Sequence, residues 1–299
     1  MKTLTIAAVL MVSFAAPTAV VEAQWPDHRD PRAPRNADGT VNLDGPAPRL
    51  PDGRPDFSGV WGFMGGTRTG ALFGIPGFDL APPRVQPQGP STRPPSTSLD
   101  EKPAATLANI GGGFTGGLPL RPESAALVKQ RMKNFSRDNP EVWCLPLGNQ
   151  QFNAHWFPRK ITQTPTLMLL LFETHMGVRQ IFLDGRSLPT NDPQPWFFGY
   201  SVGRWEGDTL VVETIGFRKD GWLDVNGHPL GEKGRTIERF RRPNYGTIEL
   251  EQTVDDPEHY TRPFTTTLTW RLMPDAELME MVCTENNLSI QHLVPASTP

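Results

Sequence analysis

The chain has 299 residues, and its 29 Lys and Arg face 32 Asp and Glu, which gives a formal net charge of −3 at pH 7. This near balance excludes the strong positive field of proteins that bind nucleic acid or anionic membranes through their overall charge. The length is sufficient for one large β domain or for two small domains.

The first 23 residues are typical of a secretory signal peptide. Lys2 supplies a positive charge, and the apolar run over residues 4–14 is too short to span a bilayer. Residues 21–23 place small or apolar side chains at the positions that a signal peptidase reads. We therefore predict cleavage after Ala23 and a periplasmic or secreted location. No later apolar run reaches the length of a membrane span, so no membrane span is predicted.

The next segments divide the chain into an arm and a domain. The density of Pro and Gly predicts an extended Pro-rich arm over residues 24–52 and a flexible insertion at about 64–121. Residues 53–299 are predicted to form a single β-rich domain. Within it, alternating bulky residues over 55–63 predict a first strand, and an apolar stripe over 122–135 predicts one short helix.

The chain contains two cysteines, Cys144 and Cys283. In an oxidising compartment, a pair far apart in sequence predicts a disulfide. It would join the start of the folded region to the last predicted strand. Two free buried thiols are the alternative.

From residue 158 onward the apolar residues recur with a period of two, which predicts β-strands. Four hairpins are expected, with paired strands at 166–175 and 178–183, 196–204 and 209–217, 235–240 and 247–254, and 264–272 and 277–283. Four consecutive hairpins predict a mainly β fold, in which an antiparallel meander closes into a barrel. A β-sandwich is the alternative.

Several segments together resemble a family of uncharacterised secreted bacterial β-rich proteins. They are PDFSGVW at 55–61, RQIFLDGR at 179–186, GYSVGRWEGDTLVV at 199–212 and ERFRR at 238–242. This resemblance implies no particular activity. The sequence Gly-Val-Trp at 59–61 before a meander also resembles lipocalins and related calycin barrels. That resemblance implies a calycin-like barrel that binds a small apolar ligand at its mouth.

The first predicted hairpin carries polar residues near its turn. A two-residue turn would pair Glu173 with Gln180, and it would place either Glu173 and His175 or Arg179, which is on the other face, at the rim of a barrel. A buried carboxylate beside a histidine can act as a general acid or base, whereas the alternative is a solvated hairpin end. His155, among aromatic residues, is either a third proton-transfer candidate or a packed, hydrogen-bonded side chain.

Further candidates come from the rest of the chain. Tyr200 and Asp224 are secondary catalytic candidates, and Arg179 and Arg186 are expected to bind or orient a ligand. Two aromatic residues, Trp196 and Phe198, are expected to line a pocket. Residues 199–203 match the serine-hydrolase pattern G-x-S-x-G, but a strand follows where that elbow needs a helix.

The sequence contains none of the spacings that mark common metal sites, so neither a metal nor a cofactor is predicted. The leading hypothesis is an exported barrel that binds a small organic molecule or a glycan. Such a barrel could perform cofactor-free acid–base chemistry as an isomerase, lyase or hydrolase. The alternatives are a non-catalytic carrier of apolar ligands and a cell-envelope interaction module that docks through the Pro-rich arm.

Overall fold

The computed structural model describes residues 29–63, 101–105, 109–175, 177–191, 194–285 and 287. The predicted signal peptide lies outside the described residues, and so do residues 64–100 and 106–108 of the predicted insertion.

The described part of the chain is mainly β. Its strands are β1 (Gly59–Phe63), β2 (Arg159–Gln163), β3 (Leu167–Phe172), β4 (Val178–Phe182), β5 (Tyr200–Glu206), β6 (Thr209–Ile215), β7 (Gly221–Trp222), β8 (Pro229–Leu230), β9 (Arg235–Asn244), β10 (Thr247–Asp255) and β11 (Phe264–Leu272). Nine of them close into a barrel in the order β1-β11-β10-β9-β6-β5-β4-β3-β2, while β7 and β8 pair separately. The predicted barrel is therefore confirmed.

The barrel is antiparallel at every strand contact except one, because β4 and β5 run parallel. Each antiparallel contact reverses the strand direction, so a closed ring must contain an even number of such contacts. Nine strands therefore require a parallel contact. The long crossover after β4 supplies it, because parallel neighbours need a connection that returns to the other end of the sheet.

Two of the predicted hairpins differ from the structure. Leu169, rather than Glu173, pairs with Gln180, so the connection from Phe172 at the end of β3 to Val178 at the start of β4 is longer than predicted. The shift is an even number of residues, and every strand residue therefore keeps its predicted face. The predicted strand at 277–283 is absent, because β11 instead pairs with β10 on one side and β1 on the other.

In the described residues before β2 there are three short helical segments: α1 (Pro122–Lys133), a 3-10 helix (Pro140–Trp143) and α2 (Asn149–Ala154). α1 is the predicted helix, with Pro at its start and Glu123 in its first turn. α2 was not predicted, because its sequence NQQFNA has no apolar stripe.

The two ends of the barrel differ. We call the end at which β3 finishes and β4, β5 and β9 begin the mouth, and the opposite end the base. At the base, Phe57 stacks on Trp205 at 5.9 Å between ring centroids, and Arg49 forms an ion pair with Asp208 at 2.7 Å. The backbone N–H of Tyr245 also donates to the carbonyl of residue 45. The segment before β1 therefore closes the base.

The barrel interior changes character from base to mouth. Nearer the base, four apolar side chains lie in register, namely Leu210, Phe240, Leu250 and Leu268. Two residues closer to the mouth on each strand, the inward-facing residues in register are Val212, Glu238, Gln252 and Thr266. All of these side chains are buried. The mouth half of the interior is therefore the more polar half, and its buried polar side chains need internal hydrogen-bond partners.

Candidate functional site

α2 fills the polar half of the barrel interior. All six of its residues are buried, and Phe152 exposes none of its surface. The side-chain amide of Asn153 donates to Glu238 Oε1 at 2.6 Å and to Gln252 Oε1 at 2.7 Å. Asn149 and Asn153 meet polar strand positions inside the barrel, whereas the side-chain amides of Gln150 and Gln151 have no hydrogen-bond partner among the described residues. These four amides leave the helix without the usual apolar pattern of a buried helix.

A buried ion pair lies beside α2. The side chains of Arg179 and Glu238 both expose none of their surface, and Arg179 Nη1 donates to Glu238 Oε1 at 3.0 Å. The guanidinium also donates to Thr214 Oγ1 at 3.1 Å and to Ser201 Oγ at 3.2 Å. The sequence predicts Arg179 at the rim, as the alternative to Glu173 and His175, where it could meet a ligand. The structure places its guanidinium inside the barrel, with its donors directed at protein oxygens.

A second buried arginine holds the connection from α2 into β2. Arg159 donates to the carbonyls of Asn153 at 2.9 Å and Phe157 at 3.0 Å, and also to that of His155. Its guanidinium lies over the Trp270 ring at 4.7 Å. Burial lowers the pKa of Arg159 to about 9. The hydrogen bonds from Arg159 therefore fix the backbone around His155.

His155 and a carboxylate form a hydrogen-bonded pair at the mouth. His155 Nε2 lies 3.0 Å from Glu141 Oε1, and its Nδ1 accepts the backbone N–H of Phe157 at 3.2 Å. Nδ1 acts as an acceptor, so the proton of the neutral ring is on Nε2, which donates to Glu141. Burial pushes the pKa of Glu141 upward, but the hydrogen bond from His155 and the nearby imidazoles outweigh it. Glu141 therefore stays ionised.

His175 joins the same cluster. Its pKa is lowered by burial, against the opposing charge of Glu141, so the neutral ring predominates at pH 7. Nδ1 lies 2.5 Å from Thr174 Oγ1, whereas Nε2 is buried and has no hydrogen-bond partner among the described residues. The backbone φ of His175 is 57°, a left-handed value that non-glycine residues rarely adopt. Backbone strain of this kind concentrates at functional sites.

Glu173 faces the C-terminal tail. The backbone N–H of Met279 donates to Glu173 Oε2 at 3.2 Å. Burial raises the pKa of Glu173, and this hydrogen bond opposes the shift only in part. The tail is fixed at two further points, by an ion pair between Glu277 and Lys160 at 2.7 Å and by the disulfide between Cys144 and Cys283. The predicted disulfide is therefore confirmed.

We predict that Glu173→Gln stabilises the protein at pH 7. A raised carboxyl pKa means that the folded state favours the protonated acid. The protonated carboxyl therefore contributes its full stability below the unfolded pKa of about 4.3, and this contribution is lost as the pH rises through the folded pKa. The neutral amide avoids that loss and keeps an oxygen for Met279 N–H. Thermal unfolding should show a Tm higher by about 1–3 °C at pH 7 and no difference near pH 4.

Glu277→Gln is the matched control for this change, because Glu277 lies on the same tail and its side chain is 48% exposed. We expect its Tm to stay within about 1 °C of wild type, since exposed ion pairs contribute little. A lower Tm for Glu173→Gln at pH 7 would show that the buried carboxylate is stabilising after all.

An open cleft of about 250 Å³ lies at the mouth, on the outer side of the cluster. Among the residues lining it are Trp196 and Val178, which are 43% and 53% exposed, and Phe198. At its edge, Arg218 lies over the Phe197 ring at 4.5 Å. Both aromatic residues that were expected to line a pocket, Trp196 and Phe198, thus border the same cleft.

One aromatic layer separates the cleft from the histidines. The ring of Phe198 lies 5.1 Å from that of Phe152 and 5.7 Å from that of Phe172, measured between centroids. Phe152 in turn contacts both imidazoles, His155 at 6.3 Å and His175 at 6.4 Å. A ligand in the cleft would therefore contact the aromatic layer that packs against the histidine cluster.

The remaining candidate residues lie elsewhere. Asp224 is fully buried and accepts hydrogen bonds from His228 Nδ1 and from the backbone N–H of Ile110, both at 2.6 Å. Tyr200 is on the outer face of β5, where its hydroxyl accepts from Arg186 Nη1 at 3.1 Å. The structure therefore groups His155 with His175, but Asp224 belongs to a different hydrogen-bonded cluster.

Sequence reasoning missed Glu141 and the amides of α2. The side chain of Asn139 accepts the backbone N–H of Glu141, which caps the 3-10 helix that begins at Pro140. That local signal predicts a turn. It does not reveal that the carboxylate meets a histidine on a different segment.

Within the described ranges, no group of three or more His, Cys, Asp and Glu side chains is arranged to hold a metal ion. The helices of those ranges include none that is long and apolar enough to cross a membrane.

Comparison of the chain with protein-family models, with curated proteins and with solved structures finds no match. The closed barrel agrees with the predicted barrel architecture, but it indicates no specific family.

Proposed function

We propose that the protein is an exported β-barrel that binds a small organic molecule in the cleft at its mouth. The observation that carries this proposal is the open cleft bordered by Trp196, Val178 and Phe198. Exposed apolar side chains that converge on a concave surface are typical of ligand sites. The disulfide supports export, because disulfides persist in oxidising compartments.

The size of the cleft restricts its ligand. A volume of about 250 Å³ is just below the usual range of ligand pockets, which begins at about 300 Å³. It suits a single ring, or one end of a longer molecule. Arg218 at the edge is held by Asp220 at 2.8 Å and 2.9 Å, so its guanidinium is fixed and can orient a polar group of the ligand.

Proton transfer is a second candidate function, and the buried Nε2 of His175 favours it. In the tautomer in which Nδ1–H donates to Thr174 Oγ1, the neutral imidazole of His175 can accept a proton on Nε2. Glu141, whose carboxylate is near His175, would stabilise the imidazolium that forms. Isomerase, lyase or hydrolase chemistry without a cofactor would all use such a base.

We expect a thermal-shift screen of the chain from Gln24 onward to identify a ligand among aromatic and apolar acids, terpenoids and oligosaccharides. A ligand at a hundred times its Kd adds about 2.7 kcal/mol of stability, which corresponds to a Tm rise of about 5–10 °C in a chain of this size. Trp196→Ala should abolish the rise. Phe135→Ala, which removes an aromatic ring that is 84% exposed and outside the cleft, should leave it unchanged.

An equal rise in wild type and Trp196→Ala would locate the ligand elsewhere and contradict the proposal. The same hit also tests proton transfer, which requires part of the ligand to pass the aromatic layer of Phe198 and Phe152 and reach His175. Exchange of the ligand's hydrogens with deuterated solvent, followed by NMR, measures this reaction. His175→Gln should keep binding but slow this exchange by about 10²-fold or more. Unchanged exchange in His175→Gln would exclude His175 as the base.

A further inference from the structure

The outer face of β4 and β5 carries an aromatic strip formed by Trp196, Tyr200 and Phe182. Successive rings lie 6.0 Å and 5.1 Å apart between centroids. Ser201 and Ile181 are fully buried inside the barrel, so strand alternation turns Tyr200 and Phe182 outward. Trp196 also lines the cleft, and the strip is therefore continuous with it.

Each end of this surface carries an arginine that is stacked on a ring and fixed by an aspartate two residues away. At the far end, Arg186 lies over Phe182 at 3.9 Å, and its Nε donates to Asp184 at 2.9 Å. At the cleft end, Arg218 lies over Phe197 and pairs with Asp220 in the same way. Both arginine side chains stay more than 40% exposed. Their remaining N–H groups can therefore reach a ligand.

The charges on this surface cancel locally. An anionic ligand would compete with Asp184 and Asp220, and a cationic ligand would compete with Arg186 and Arg218. A neutral molecule with many hydroxyl groups meets neither difficulty, because its hydroxyls can both accept from guanidinium N–H and donate to carboxylates. Its C–H faces can pack on the aromatic strip, in which Trp196 is 43% exposed and Tyr200 and Phe182 are half-buried.

We propose that the cleft and the aromatic strip together bind a neutral oligosaccharide. One sugar ring occupies the cleft, and the following rings lie along the strip over Tyr200 toward Arg186. This inference rests on the proposed ligand site and names its ligand class. It also accounts for a cleft that is small for a whole ligand but open toward an aromatic surface.

The test is isothermal titration calorimetry of the chain from Gln24 onward with neutral hexasaccharides of glucose, xylose and mannose, and with a hexamer of galacturonic acid as the charged comparison. We expect at least one neutral hexasaccharide to bind. Tyr200→Ala should weaken its affinity by about tenfold, because one ring contact is lost. The matched control, Phe135→Ala, should bind like wild type.

Tyr200 does not line the cleft, so Tyr200→Ala separates the two proposals. If an apolar or aromatic acid binds through Trp196 while no neutral hexasaccharide binds, the inference fails and the proposed ligand site stands. If nothing binds, both fail. Binding of the charged hexamer alone, or equal hexasaccharide affinity in wild type and Tyr200→Ala, overturns the inference. Arg186→Met, expected to weaken binding similarly, replaces Tyr200→Ala if that variant does not fold.

Discussion

Arg179→Met should lower the free energy of unfolding by about 3–5 kcal/mol, because it leaves the carboxylate of Glu238 buried without its counter-charge. Both side chains are completely buried, and Arg179 is the cation that pairs with this carboxylate. The same change removes the donors to Ser201 and Thr214. Equilibrium unfolding in urea measures the loss through the shift of the transition midpoint.

Two variants separate the buried charge from a general packing effect. The double variant Arg179→Met, Glu238→Gln should recover at least half of the loss, since the amide is neutral and still accepts from Asn153. Arg241→Met breaks an exposed ion pair with Glu249 and should cost less than about 1 kcal/mol. A loss below 1 kcal/mol for Arg179→Met alone would contradict the buried pair.

The second large effect concerns the disulfide. The double variant Cys144→Ser, Cys283→Ser should lose about 3–5 kcal/mol of stability, because the bond closes a loop across a sequence separation of 139 residues. It also fixes the tail that contacts Glu173, so that contact should weaken as well. Urea unfolding without reductant gives the loss.

Reductant provides the control for this prediction. It should destabilise the wild-type chain to the level of the double serine variant and leave that variant unchanged. If wild type keeps its stability in reductant while both thiols react with an alkylating reagent, the bond does not contribute as described.

Local patterns predicted much of the barrel. β9, β10 and β11 alternate buried and less buried residues along their length, which is the period-two signal that the sequence shows. The turn at Gly207, with a φ of 59°, was also recognisable as the end of a hairpin. These elements are determined by neighbours in sequence, and they could therefore be predicted.

The register of β3 and β4 could not be predicted in the same way. The pair Met176-Gly177 is typical of a two-residue turn, but the glycine at 177 is required by packing against residues that are distant in sequence. A Cβ at residue 177 would lie 2.9 Å from Phe198, 3.1 Å from Phe172 and 3.2 Å from Phe152. The glycine thus marks close packing against the aromatic layer rather than the point of reversal.

The candidate site depends on contacts between distant segments. Glu141, His155 and His175 come from three separate segments, and Arg179 meets Glu238 at a separation of 59 residues. Sequence reasoning selected both histidines from their residue type and surroundings. It could not identify the carboxylate that joins them, because no local pattern links these positions.

The most direct test of the central claim is isothermal titration calorimetry of the best hit from the thermal-shift screen with wild type and Trp196→Ala in parallel. If the ligand binds in the mouth cleft, the Kd should rise by about tenfold or more in the variant, because the ligand loses its contact with the Trp196 ring. Equal affinity in the two proteins would contradict the claim, because the ligand would then bind without using the cleft.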